Sequence, residues 1–172
     1  MDKSAIEWTD STWNPTTGCS KVSPGCQNCY AETLSLRLRK MGVPKYANGF
    51  ELAVHADDFG LPMKWKAPRM IFVNSMSDLF HEDLPFEVVD EIYSCMLKAP
   101  WHIYQILTKR PERMSEFFAG RTVPWNIWLG TSSALDQYAD RRGWLERIDV
   151  PVAFASVEPL LGPVKPSGLE PA

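Results

Sequence analysis

The sequence predicts an α/β protein on a parallel sheet, and three observations carry that reading. Short apolar runs recur roughly 25 to 35 residues apart, helical periodicities fill the intervals, and each run turns polar at its C-terminal end. Near-continuous apolar strands suit a parallel sheet, whose faces are usually covered. With about five strands, the architecture is a partial (β/α) barrel or an open doubly wound sheet. Periodicity alone does not choose between them.

The first strand falls somewhere in Ile6 to Trp13. A cysteine run follows, and then YAETLSLRLRKMG reads as a helix. Ala31, Leu34, Leu38 and Met41 share a face, Arg37, Arg39 and Lys40 suit the negative end of its dipole, and Gly42 stops it. A long connection with Pro44, Asn48-Gly49, Gly60 and Pro62 comes next. It contains a short alternating piece, Phe50, Leu52 and Val54, that reads as a small extra strand. Arg69 to Ser75 is the second main strand, and a helix starts near Pro85, with Phe86, Val89, Tyr93 and Met96 along one row. His102 to Thr108 is the third strand, PERMSEFF a short helix with Pro111 in its first turn, and Asn126 to Ser132 the fourth strand. Leu135 to Ile148 is expected to be helical with Ser133 as its cap, and Val152 to Pro159 is the last strand.

Composition bounds the rest. A chain of 172 residues, 45% of them hydrophobic, is one domain (1–172) able to bury roughly two-thirds of its unfolded surface. The net charge of −3 and scattered Lys and Arg argue against a broad phosphate-binding face. The opening MDKSAIEWTD has neither a basic nor an apolar signal region, and no run approaches a membrane span, so a cytoplasmic protein without a membrane partner is expected. Trp101, Trp128 and Trp144 fall in or beside regular elements, where core packing is the expectation.

The sharpest chemical signal is TGCSKVSPGCQNCYAE, which places Cys19, Cys26 and Cys29 at C-x6-C-x2-C inside a loop spanning 18–30. Three close thiols suit a metal or cluster site, and a cluster held by three thiolates keeps one iron open for chemistry. Other readings stay open: a disulfide with a spare thiol, buried cysteines, or zinc completed by His55, His81 or His102. Cys95 stands apart at helical spacing with Val88 and Ile92 and reads as a packed thiol.

Ligands of parallel α/β proteins bind beyond the carboxyl ends of the strands. Those ends carry Ser75, Ser77 and Asp78, then Lys109 and Arg110, then Thr131 and Ser132, then Glu158. Lys109 or Arg110 suits a carboxylate, and Glu158 an amino or hydroxyl group. Each could instead cap a helix or close a turn.

The segments IEWTDSTWNPTTGCSKVSPGCQNCYAE, NSMSDLFHEDLP, ILTKRPERM, WLGTS and ASVEPLLGP resemble a phage- and prophage-encoded family of unknown function. Its members carry a three-cysteine motif and are similar to radical S-adenosylmethionine (SAM) enzymes, most closely the spore photoproduct lyase branch. The resemblance runs from Ile6 to Val164. It implies a partial (β/α) barrel of radical SAM type, a [4Fe–4S] cluster on Cys19, Cys26 and Cys29, and SAM on the fourth iron. It further implies hydrogen abstraction from an unknown substrate, with a nucleic acid base as the analogy, and a flavodoxin- or ferredoxin-like electron donor. By the same likeness Ser75, Ser77 and Asp78 hold the methionine amino group, Lys109 or Arg110 its carboxylate, and Thr131 and Ser132 the ribose.

The chain departs from the commonest pattern in two places. The first cysteine gap is six residues, and Asn28 stands where an aromatic residue usually precedes the last cysteine, leaving the adenine contact missing or supplied by Tyr30. The family also continues past the fifth strand, whereas this chain stops at PSGLEPA. A shortened member with an unpaired sheet edge and reduced turnover is therefore expected. Two alternatives to an enzyme remain: a non-catalytic metal or Fe–S protein that binds nucleic acid through its seven Trp and five Tyr, and an interaction protein stapled by zinc.

Overall fold

The computed structural model describes residues 4, 6–138 and 140–164. Its main sheet contains β1 (Ser11–Trp13), β4 (Met70–Val73), β5 (Ile103–Thr108), β6 (Ile127–Ser132) and β7 (Ala153–Ser156), in that spatial order and all parallel. Each strand joins beside its predecessor with no reversal, so the sheet is wound in one direction. That settles the architecture against the doubly wound alternative, which needs a switch point. Among the described residues the sheet does not close into a barrel, and β1 and β7 form its two borders.

Alternation along the strands explains the core. Ile71, Tyr104 and Ile127 stand in one row across the sheet, and Val73, Ile106 and Leu129 in the next. All six are at most 1% exposed and belong to one cluster with Val89, Ile92, Tyr93 and Met96 of α3 (Phe86–Lys98). Met114, Phe117 and Phe118 of α4 (Pro111–Phe118) join them. Burial of each such side chain contributes about 1.5–3 kcal/mol. Cys95 packs against this cluster from its margin, as expected of a structural thiol.

The opposite face is differently made. Phe72, Gln105 and Trp128 form its matching row, and Trp8 lies 4.7 Å from Phe72. Gln105 Nε2 donates to the Trp8 carbonyl at 3.2 Å. The tryptophan expectation is therefore corrected: Trp13 is the core tryptophan at 1% exposure, whereas Trp101 is exposed and Trp128 and Trp144 are half-buried.

The helix after the cysteines, α1 (Tyr30–Lys40), ends at Gly42, whose φ of 74° is in the region glycine favours. Its inner face differs from the sequence pattern. Ala31 and Ser35 are buried and Leu38 packs beneath them, while Leu34 and Met41 face outward. A small buried group, Ala31 with Tyr46 and Met76, gives this helix too little depth to take both rows.

The long connection is ordered. It holds β3 (Ala53–Val54), paired antiparallel with β2 (Thr16–Thr17), and α2 (Leu61–Lys64). The segment expected as one helix from Leu135 is a 3-10 turn at Asp136–Tyr138 and a short α5 (Arg141–Leu145), with Ala139 outside the described residues. Ser133 does not cap it: its hydroxyl donates to the Tyr138 carbonyl at 2.8 Å. The C-terminal run at 166–172, where the shortening was expected, also lies outside the described residues.

Candidate functional site

The cysteine loop starts at a position only glycine can hold. Gly18 has φ 84°, bridges to Ser77, and donates its N–H to the Met76 carbonyl at 3.0 Å. A Cβ there would lie 2.0 Å from the Glu51 carbonyl oxygen. Cys19 follows, with its N–H on the Phe50 carbonyl at 3.2 Å. The loop then turns at Pro24–Cys26, and Gly25 packs against Ala134 and Pro159 beyond β6 and β7. It returns at Tyr30, whose hydroxyl donates to the Ser75 carbonyl at 2.5 Å. The loop thus crosses the C-terminal ends of β4 to β7, where parallel α/β proteins place their chemistry.

The ground beneath the loop is a set of saturated polar groups. Asp78 is buried and accepts from Phe80 N–H at 3.0 Å, Thr108 Oγ1 at 2.7 Å, Lys109 N–H at 3.1 Å and Arg110 Nη1 at 3.1 Å. Thr108 Oγ1 also accepts from the Arg110 N–H at 2.8 Å, so one hydroxyl joins the ends of β4 and β5. Arg110 reaches Glu82 and Ser20 as well. Buried His81 accepts the Ser20 N–H at 3.1 Å. Asn14 Oδ1 accepts from Ser75 Oγ at 3.2 Å and the Met76 N–H at 2.9 Å. Thr16 Oγ1 donates to Ser77 Oγ at 3.0 Å and accepts from Asn74 Nδ2 at 2.9 Å. Lys45 ties the Asn14 carbonyl, at 2.7 Å, to the Asp58 carboxylate.

The sequence-expected residues divide accordingly. Asp78 and Arg110 meet each other, Arg110 also meets the loop, and Ser75 and Ser77 bond within the strand-end turns; these contacts occupy the groups expected to receive methionine. Thr131 is buried and donates to the Thr108 carbonyl at 3.2 Å, and Ser132 to the Glu158 carbonyl at 3.0 Å. Glu158 keeps its side chain exposed. Lys109 is half-buried and lies within electrostatic reach of Cys26. Tyr30 lies on the surface with its hydroxyl tucked in, and that burial, with Cys29 nearby, pushes its pKa up to about 12.

Sequence reasoning missed Asn14, Thr16, Ser20, Glu82 and Arg141, and weighed His81 only as a zinc ligand. The run Trp13-Asn14-Pro15-Thr16-Thr17-Gly18 was a usable signal, since polar residues between a strand and a strained glycine must satisfy backbone groups. Arg141 is buried at the end of β6, donates to the Ser132 carbonyl at 2.8 Å, and feels the charge of Cys26.

The thiols differ among themselves. Burial pushes Cys19 up to about 11, Asp78 adds to it, and Arg110 opposes. At Cys26 burial also raises the pKa, but backbone groups of Val22 and Ser23, the Ser23 hydroxyl and Lys109 outweigh it and bring it below the ordinary value. All four cysteines are free, so no disulfide forms among them. Among the described residues no group of three or more His, Cys, Asp or Glu stands close enough to grip a metal ion. The chemistry of the donor set nevertheless fits a thiolate-bound group. Three half-buried thiols share one loop, Cys19 feels the charge of Cys26, and Arg110 brings positive charge to Cys19 while Lys109 and Arg141 bring it to Cys26. Of the histidines weighed for zinc, His81 adjoins the loop. His55 bonds Thr17 at 2.8 Å, and His102 lies at the far end of β5.

Fold and site together define a mixed α/β protein whose five-stranded parallel sheet carries a three-cysteine loop across its strand ends. The chain belongs to the family described as Protein of unknown function (DUF5131), whose model matches residues 3–171. No curated protein and no solved structure matches it. Among the described residues no helix is long and apolar enough to cross a membrane.

Proposed function

We propose that this chain is an iron–sulfur protein of radical SAM type that acts on an unidentified substrate, with a nucleic acid base as the working analogy. Cys19, Cys26 and Cys29 would hold the cluster. A [4Fe–4S] cluster held by these thiolates would supply one-electron reduction of SAM, with the electron from a flavodoxin- or ferredoxin-like donor and the carbon–sulfur bond of SAM cleaved to methionine and a hydrogen-abstracting radical. One observation carries the reading: three free thiols on a loop laid across the C-terminal ends of a singly wound parallel sheet.

The chain's own groups have separable tasks in this reading. Gly18 and Arg110 hold the first thiol in place, and the cationic Lys109, Arg110 and Arg141 offset thiolate charge. Lys109 is the strand-end cation available for a carboxylate, because Arg110 is engaged by Asp78, Glu82 and the loop. Tyr30, exposed beside Cys29, would be the ring that stacks on a purine in this reading.

The test is anaerobic reconstitution of the full chain, with metal analysis and spectroscopy of the reduced form with and without SAM. About four irons per chain and 5′-deoxyadenosine release with a strong reductant are expected. Cys19→Ala, Cys26→Ala and Cys29→Ala should each abolish the cluster, while Cys95→Ala should retain it. A colourless chain holding one zinc and no iron overturns the proposal.

A further inference from the structure

All five N–H donors of Arg110 are engaged, on the loop at Cys19–Ser20 and on the Asp78–Glu82 segment after β4. Nε donates to Glu82 Oε2 at 2.5 Å, and Nη1 to Asp78 Oδ2 at 3.1 Å and Cys19 Sγ at 3.5 Å. Nη2 donates to the Ser20 carbonyl at 3.3 Å and to Ser20 Oγ at 2.7 Å. A guanidinium has five donors and no acceptor, so the fork has no donor left over. Its side chain is 9% exposed. We propose that Arg110 is a positioning residue of the cysteine loop: it latches Cys19 and Ser20 onto the ends of β4 and β5, hydrogen-bonds the first sulfur, and takes no ligand of its own. The importance of the sulfur rests on the function proposed above, whereas the latch does not.

The surroundings explain why an arginine is needed. Asp78 and Glu82 both approach the Cys19–Ser20 segment, and without a cation their charges would repel a thiolate there. Lysine could neutralise that charge, but its point-like ammonium cannot reach five acceptors on both the loop and the Asp78–Glu82 segment. Arg113, in the helix that Arg110 precedes, supplies a control. It donates to the Leu84 carbonyl at 2.6 Å and lies over the Phe86 ring at 4.2 Å, contacts that belong to the core side of α4.

Hydrogen exchange on the metal-free full chain reads the latch directly, through the Cys19 and Ser20 amides bonded to Phe50 and His81. Arg110→Gln and Arg110→Lys should each speed exchange of these amides by about tenfold or more, as expected when charge-assisted bonds are lost, while β5 stays protected. Arg113→Met should leave the loop within about twofold of wild type by the same physics. Anaerobic cobalt(II) titration then reads the sulfur. Arg110→Gln should lower the thiolate-to-cobalt charge-transfer band by roughly a third, one donor of three. Loop exchange in Arg110→Gln equal to wild type overturns the latch. Faster exchange with an undiminished cobalt band overturns the role at the sulfur. Absence of any sulfur–cobalt band in the wild-type chain counts against the metal reading and the sulfur role, and the exchange arm alone then decides the latch. Should Arg110→Gln fail to fold, Glu82→Gln at the exposed rim carries the same expectation at smaller size.

Discussion

The two ends of the parallel sheet are closed by opposite chemistries. At the N-terminal end of β5 and β6 the closing bonds are neutral and run from side chain to carbonyl. Trp101 Nε1 reaches Trp65 at 2.8 Å, His102 Nε2 meets Pro62 at 3.0 Å, Asn126 Nδ2 donates to His102 at 2.9 Å and Tyr104 OH to Ala99 at 3.1 Å. His102 sits among the rings of Trp65, Trp101 and Tyr104. Charge enters at the β1–β4 border, where the Asp10 carboxylate accepts the Met70 N–H at 2.8 Å and Arg69 Nη1 donates to Ser11 Oγ at 3.2 Å. At the C-terminal end the bonds are ionic, centred on Asp78, Arg110 and Glu82, and they hold a loop with three free thiols. Neutral bonds among aromatic rings seal an end. Buried ions with a cysteine loop above them cost desolvation, which a merely structural closure would avoid. The difference supports the proposal that the second end is the working one.

The strongest way to break that contrast is to remove its central anion. Asp78→Ala leaves Arg110 facing the loop with its main buried partner gone, and a loss of about 3–5 kcal/mol is expected in denaturant unfolding. Asp78→Asn should lose less. Next in size is Gly18→Ala, in which the added carbon meets the Glu51 carbonyl in a backbone region alanine avoids. A cost of about 2–3 kcal/mol is expected, together with weaker cobalt binding, because the strain falls beside Cys19. His102→Gln sharpens the contrast from the sealed end. It should cost about 1–2 kcal/mol and leave the cobalt spectrum unchanged. A change in that spectrum would show the two ends to be coupled.

The smallest effect is on pH. His55, His81 and His102 all have pKa values below the ordinary 6.5, each chiefly through burial. The unfolded chain therefore binds more protons over that window, so stability is full above about pH 6.5 and falls as pH drops through the lower folded values. Glu82 acts further down. Its Arg110 bond holds it near about 2, so its share is present above its ordinary 4.5 and lost only in strong acid, and its half-exposed side chain keeps that share small. Urea midpoints between pH 5 and 7.5 should rise with pH in the wild type and more shallowly in His102→Gln.

Much of the scaffold was legible because its signals are local. PERMSEFF gave its helix to the residue, since Pro111 opens it and Met114, Phe117 and Phe118 turn inward. The strands from β4 to β7 were placed within a few residues, because only buried parallel strands need such apolar runs. Met41 and Leu34 misled, since their periodicity is as good as that of Ser35 yet the core beneath α1 is shallow. The 135–148 segment misled for another reason: the Ser133 hydroxyl holds the Tyr138 carbonyl, and Gly143 inside α5 lowers the helix propensity of what composition reads as one helix. At the site, the cysteines and polar strand ends were visible. Their partners were not, because Arg110 meets Cys19 across 91 positions of sequence.

By itself the sequence determined which residues carry thiols and charge, where strands and helices alternate, and that the polar groups gather at one end of each strand, because these follow from side-chain chemistry and spacing. Only the tertiary structure decided that the sheet winds in one direction without closing among the described residues, that Asp78 spends its bonds on Arg110 and the neighbouring strand ends, and that Arg110 spends its own on Asp78, Glu82 and the loop. A charged side chain can serve a ligand or a neighbour. Which of the two it serves depends on what folding brings within about 3 Å of it.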